Sequence, residues 1–316
     1  MNHFFLLFLT TILLISGYSG VAQSASWSNV MVQLPRTSPA CRSNASSLSA
    51  APFPKLHPNA LNARVPILMY HDILPAKKVA YDLTPKELRQ HFEQIKSNRM
   101  TPISLDRLIA HLRTGSPLPE KPILLTFDDG YGGHYQYAYP LLREYGYPAV
   151  FSIHTSSVGV NTGRTHVSWK DLKTMANDPL VTIASHSKTH PALTRLPDQR
   201  LAQEVADSKK ILESKLGRSV QYFTYPYGNY DARVKRAVAN AHYLAAIAFA
   251  VPTERFANQS ADLLSLARFE KSQIAKVIPQ AWGGSPSTEC KLVSSANKNL
   301  NRGFPRSELS SRKVMV

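Results

Sequence analysis

The stretch ILLTFDDGYGG, residues 123–133, decides how this chain reads. A strand-like run, Ile123 to Phe127, ends in two adjacent carboxylates, Asp128 and Asp129, and these are followed by Gly130 and by Tyr131-Gly132-Gly133. Carboxylates at the end of a buried strand must be desolvated, so they need partners, and a divalent metal is the simplest one. Successive side chains of an extended strand face opposite ways. The two acids should therefore have different jobs, one binding metal and the other taking a proton. The plainer alternative is an Asp-Gly hairpin turn.

The alternation of apolar run and amphipathic stretch continues on both sides. VPILMY (65–70), PAVFSI (148–153), VTIAS (181–185) and VQYFTY (220–225) read as buried strands, with later apolar runs in YLAAIAFA and LLSLARF. Between them, TPKELRQHFEQIKSNR (84–99) has Thr84 as N-cap and Pro85 at the first helical position. AYPLLREY (138–145) stops at Gly146, WKDLKTMA begins after Ser168, a long helix from Asp198 to Leu216 stops at Gly217, and DARVKRAVANA (231–241) follows. Strands alternating with helices predict an α/β fold with a parallel sheet. Seven or eight such units favour a distorted (β/α) barrel in a single domain.

A hydrophobic content of 43% with 18% charged residues excludes a disordered, collagen-like or multi-span membrane chain. The net charge of +16 is concentrated in the flanks: Ser24 to Arg64 holds four basic and no acidic residues, Lys271 to Val316 eight basic and two acidic. A nucleic-acid binder carries such charge on its folded domain, so no nucleic-acid partner is expected, and basic flanks suit attachment to an acidic cell envelope. Met1 to Ala22 reads as a secretory signal or N-terminal anchor, which places the chain in the cell envelope or outside the cell. Residues 23–63 read as a disordered linker, 64–270 as the folded domain and 271–316 as a basic tail. Cys41 and Cys290 lie in the two flanks, where an oxidising compartment leaves them either paired or free. The oligomeric state is not legible.

In a parallel barrel the active site lies at the C-terminal ends of the strands. Those ends carry His71 and Asp72, then Asp128 and Asp129, then His186 and His190, then Pro226, Tyr227 and Gly228. His186 and His190 are four apart, and with a carboxylate from another strand they make a two-His, one-carboxylate set that leaves a position open for water. A closed structural zinc site would need a fourth ligand, and both cysteines are in the flanks. His154, after PAVFSI, either lines the cleft or is a satisfied core histidine, the plainer of the two readings. Trp169 at a helix start is a packing residue or a sugar platform, and the tyrosines from Tyr131 to Tyr139 form a cluster beside the Asp loop.

TFDDG (126–130), SHSKTHP (185–191) and FTYPYG (223–228) together resemble, in order and spacing, three motifs of the polysaccharide deacetylases, the carbohydrate esterases that share the chitooligosaccharide deacetylase (NodB) homology domain. MYHDI (69–73) makes the chain most similar to the secreted poly-β-1,6-N-acetylglucosamine deacetylase subgroup. The resemblance covers about residues 64–270. It implies Asp129, His186 and His190 as ligands of a divalent metal, zinc first, with cobalt or nickel as alternatives. It also implies Asp128 as general base, the Tyr227 backbone N–H as oxyanion donor and His71 as the acid for the leaving amine. Tyr131, Trp169 and Tyr225 are expected to contact an acetylated polysaccharide substrate.

Two departures stand out. Thr224 replaces the arginine that many members carry in the third motif, so the partner of Asp128 is unaccounted for. The late Leu-x-His motif is absent too, and Arg268 stands where its histidine might be. The expected activity is metal-dependent removal of acetyl groups from an N-acetylated envelope or extracellular glycan, such as poly-N-acetylglucosamine, a chitin-like polymer or peptidoglycan. The alternatives are an O-acetyl esterase on xylan or another decorated glycan, and a glycan-binding envelope protein that turns over weakly. No HExxH helix suggests a metalloprotease.

Overall fold

Seven short strands, β1 (Ile67–Tyr70), β3 (Pro122–Phe127), β4 (Ala149–Ile153), β5 (Val181–Ser185), β6 (Tyr222–Thr224), β7 (Ala245–Ile247) and β8 (Phe269–Glu270), form a parallel sheet in the order β7-β6-β5-β4-β3-β1-β8, with β2 (Thr101–Pro102) beside β3. The computed structural model describes residues 53–249 and 254–284. The expected signal, most of the linker, the distal tail and both cysteines lie outside the described residues. Leu266 exchanges backbone hydrogen bonds with Ala246 and Ala248, whereas Phe269 pairs with Leu68 of β1. Residues 266–270 thus span from one sheet edge to the other, giving the distorted (β/α) barrel that the alternation predicts.

Helices α1 (Pro85–Ser97), α2 (Leu105–Thr114), α3 (Tyr139–Tyr145), α4 (Trp169–Ala176), α5 (Asp198–Leu216), α6 (Ala232–Asn240) and α7 (Ile274–Val277) accompany the strands. Helix α1 opens with a full capping box between Thr84 and Glu87, and α3 and α5 close on left-handed Gly146 and Gly217. Helix α2 is an addition to the alternation expected from the sequence; Ser104 caps its start and left-handed Gly115 its end. No helix among the described residues is long and apolar enough to cross a membrane. The packed body also takes in residues outside 64–270: Ala60 and Ala63 are buried at one end, Ile274, Val277 and Ile278 at the other.

Strand period two sorts the core into an outer layer under the helices and an inner layer inside the barrel. Leu68, Leu125, Phe127, Phe151 and Phe223 belong to the outer cluster; Ile67, Leu124, Val150, Ala184 and Tyr222 belong to the inner one. Followed upward, each inner row turns from apolar to polar: Ile67, Met69, His71; Leu124, Thr126, Asp128; Val150, Ser152, His154; Ala184, His186. The polar middle storey is satisfied internally, with Thr126 donating to the Leu68 carbonyl at 2.8 Å and Ser152 bonded to Thr224 at 2.8 Å. The same alternation that fills the barrel therefore delivers imidazoles and a carboxylate to its upper mouth.

Gly133 lets two loops approach there. A Cβ at this position would lie 2.0 Å from the Ile73 carbonyl oxygen and 2.6 Å from Asp72 Oδ1, although its backbone is ordinary right-handed helix. Gly133→Ala should therefore destabilise the domain by about 1–3 kcal/mol through overpacking alone, which a denaturation midpoint will read.

Candidate active site

The inner rows end in a cavity of about 840 Å³ lined by His71, Asp128, Asp129, His186, His190 and Tyr227, among others. Asp128 continues the inward row of β3. In an extended chain Asp129 would face away, but its φ of 77° breaks the alternation and returns its carboxylate to the cavity. Among the described residues six non-glycine positions have positive φ, and four of them, Asp129, Ser187, His190 and Tyr227, are at this site. Such strain is tolerated where the surroundings over-determine it.

Asp129 Oδ1 lies 3.4 Å from the Nε2 atoms of both His186 and His190, which are 3.1 Å from each other. Three ligands about 2.0–2.1 Å from one ion in tetrahedral array are about 3.4 Å apart, so this donor set fits a shared metal. His186 Nδ1 is 2.7 Å from the Thr224 carbonyl, which fixes that nitrogen as an N–H donor and leaves Nε2 as the atom that faces Asp129. Burial opposes charge on Asp129, but its hydrogen bond to His186 and the field of the neighbouring imidazoles hold its carboxyl below the usual range. Burial also opposes charge on His186, and Asp129 with Asp128 outweighs it, so that imidazole titrates high. His190 goes the other way, lowered to about 4 by burial and by His186.

Arg268 supplies the partner that Asp128 lacked in the sequence. Its guanidinium meets the carboxylate with two bonds, 3.0 and 2.6 Å, and reaches Thr126 Oγ1 at 3.3 Å. Both side chains are 2% exposed. Burial alone would raise the Asp128 carboxyl, yet Arg268 and then His186 hold it below its ordinary value, so it stays ionised. The expected orienting arginine thus comes from the segment joining the sheet edges, 140 residues from Asp128, and not from the third motif.

His71 stands at the end of β1 with its ring 5.0 Å from that of Tyr81, and its backbone carbonyl is bonded to His134 Nε2 at 3.0 Å. Burial lowers its pKa against the pull of Asp128 and Asp129. Tyr131 lines the cavity with its ring 5.1 Å from that of His166. Arg164 ties this wall together. It pairs with Asp82 at 2.8 and 3.0 Å and with Asp72 at 3.2 Å, while its guanidinium sits 5.7 Å and 5.2 Å from the Tyr81 and Tyr131 rings.

Two of the expected substrate contacts are corrected. Tyr225 is fully buried, donates its hydroxyl to the Leu264 carbonyl at 2.8 Å and stacks on Tyr230. Thr224 faces inward, so strand alternation turns Tyr225 outward into the core. Trp169 packs against the core at the start of α4, under Lys215, and is not part of the cavity wall. Of the two readings of His154, the cleft reading fits: it lines the cavity 5.4 Å from the His190 ring. Tyr227 is 62% exposed and leans on His190 with ring centroids 4.7 Å apart.

A parallel barrel whose mouth holds two imidazoles and a carboxylate, with a second carboxylate on an arginine beside them, has the donor arrangement of a metal-assisted hydrolase. Residues 115–246 match the polysaccharide deacetylase family model. It is 31% identical over 181 residues to YxkH of Bacillus subtilis (strain 168), named as a polysaccharide deacetylase, covering 57% of this chain and 63% of that one. It is 31% identical over 112 residues to the poly-β-1,6-N-acetyl-D-glucosamine N-deacetylase of Escherichia coli (strain K12), covering 32% of this chain and 17% of the relative. The fold is shared with the Streptococcus pyogenes deacetylase PplD, at TM-score 0.62 and 23% identity over 71% of this chain and 100% of that chain. IcaB from Ammonifex degensii matches at TM-score 0.62 and 22% identity over 69% of this chain and 96% of that chain.

Proposed function

We propose that the protein is an exported, metal-dependent deacetylase of an N-acetylated polysaccharide, of the poly-N-acetylglucosamine kind. The observation that carries this reading is the separation of duties at the barrel mouth: Asp129, His186 and His190 cluster as donors, while Asp128 is held apart and ionised by Arg268. A binding protein has no need of a free base beside its metal ligands. The three donors would hold the ion, zinc first, with cobalt or nickel as alternatives. Once bound, it supplies an acidified water and a polarised acetyl carbonyl. Asp128 accepts the proton of the attacking water. The Tyr227 backbone N–H donates to the oxyanion as the carbonyl carbon becomes tetrahedral. His71 delivers a proton to the departing amine nitrogen, and the C–N bond breaks to leave acetate and a free amine. Tyr131 and the Arg164 wall hold the sugar. Export rests on Met1 to Ala22, and the basic flanks would hold the chain at an acidic envelope surface.

A second reading, an O-acetyl esterase, is favoured by one observation. Arg268 stands where a late acid histidine would be and is engaged with Asp128, so leaving-group protonation rests on His71. An alkoxide needs that proton less than an amine does. The two readings separate in His71→Ala: amide cleavage should fall by about 10²–10⁴-fold and ester cleavage by far less. Equal losses on the two substrates would deny His71 the role of acid.

A further inference from the structure

The donor His190 sits in a loop that its own backbone does not favour. Ser187 has a φ of 65° and His190 a φ of 59°, so two non-glycine residues within four positions adopt left-handed conformation. Something outside the loop must hold that shape. Glu204, on α5, is 2% exposed and aims its carboxylate into the loop's concave side. Oε2 accepts the Lys188 N–H at 3.0 Å and the Thr189 N–H at 2.8 Å, and Oε1 accepts the Thr189 hydroxyl at 2.7 Å. Ser187 Oγ accepts the His190 N–H at 3.0 Å, closing the turn from within. The far side of the loop is tied to the segment after β4, where the Thr155 and Ser156 N–H groups donate to the Ser187 and Lys188 carbonyls.

We infer that Glu204 is a positioning residue of the metal centre, which sets His190 at the distance from Asp129 and His186 that one ion requires. The inference rests on the metal reading proposed above. Glu204 touches neither donor side chains nor substrate; it acts by satisfying the peptide N–H groups of the two residues before His190. A carboxylate suits the task because it is acceptor-only and faces three donors. Glutamine would keep an oxygen for the two peptide N–H groups, but it removes the charge that strengthens all three bonds and forces the Thr189 hydroxyl to reverse and accept from its N–H₂, while aspartate would pull the loop toward α5 by a methylene.

The experiment is metal titration of the chelator-stripped protein with zinc and with cobalt against a chromophoric competitor, for wild type, Glu204→Asp and Glu204→Gln. Glu213→Gln is the control. That carboxylate accepts the Val220 N–H at 3.0 Å on the same helix, away from the loop, so its loss tests general damage to α5. Glu204→Gln should lower metal affinity by about 10- to 100-fold, with Glu204→Asp between it and wild type and Glu213→Gln at the wild-type value. The cobalt spectrum of Glu204→Asp should shift as well, since the donor geometry changes, and this reads out even where Glu204→Gln does not fold. Wild-type affinity and spectrum in folded Glu204 variants would overturn the role of Glu204 alone. A wild-type chain that binds neither metal would overturn the metal reading and this inference together.

Discussion

Asparagine in place of Asp128 should lower acetate release by about 10²–10⁴-fold while the protein still takes up metal. The two effects separate because Asp128 is not in the cluster that Asp129 forms with His186 and His190. The substitution also has a structural cost. Arg268 is 2% exposed and its only acidic partner among the described residues is Asp128, so an amide leaves a buried guanidinium uncompensated. A loss of about 3–5 kcal/mol is the upper expectation, moderated by the one acceptor oxygen that asparagine retains. Turnover at the wild-type rate would remove Asp128 from the mechanism. Loss of metal together with turnover would move it into the ligand set.

Arg268→Met should do comparable damage from the other side. It strips Asp128 of a two-bond partner at 3.0 and 2.6 Å and leaves a buried carboxylate with the His186 imidazole as its main remaining countercharge, so about 3–5 kcal/mol is the upper expectation. Activity should drop as well, because an unpaired Asp128 is driven by burial toward its protonated form and loses its orientation, and a protonated carboxyl cannot accept the water proton. The pair is separable from generic core damage by the double variant. Asp128→Asn with Arg268→Met removes both charges, so it should lose less stability than the sum of the singles, the signature of two groups that need each other. Strict additivity would mean that the contact contributes nothing.

The barrel was legible in the sequence because its signals are local. Apolar runs that follow helices closed by Gly146 and Gly217 need no tertiary information, and neither does the Thr84 and Glu87 cap. Asp128, Asp129, His71, His186 and His190 were legible because each falls at the end of such a run, where a parallel barrel opens. What stayed hidden depends on backbone torsion and long-range pairing. Left-handed φ at Asp129, His190 and Tyr227 cannot be read from residues that normally avoid it, yet at Asp129 it is what brings both carboxylates to one cavity. Arg268 is remote in sequence from the acid it serves, and Glu204 lies on a helix behind the loop it holds. Tyr225 was misplaced for a simpler reason. Strand alternation alone turns its side chain outward beside an inward Thr224, and membership of the motif carries no information about that facing.

The donor cluster and its neighbouring base should together remove acetyl groups from an amide-linked glycan. Acetate released from N-acetylglucosamine oligomers and from acetylated xylan, by protein stripped with a chelator and then resupplied with zinc, cobalt or nickel, tests it most directly. Release from the N-acetylglucosamine oligomers should disappear on chelation and return with metal. Release from xylan alone, or release from the oligomers that persists without metal, would contradict it.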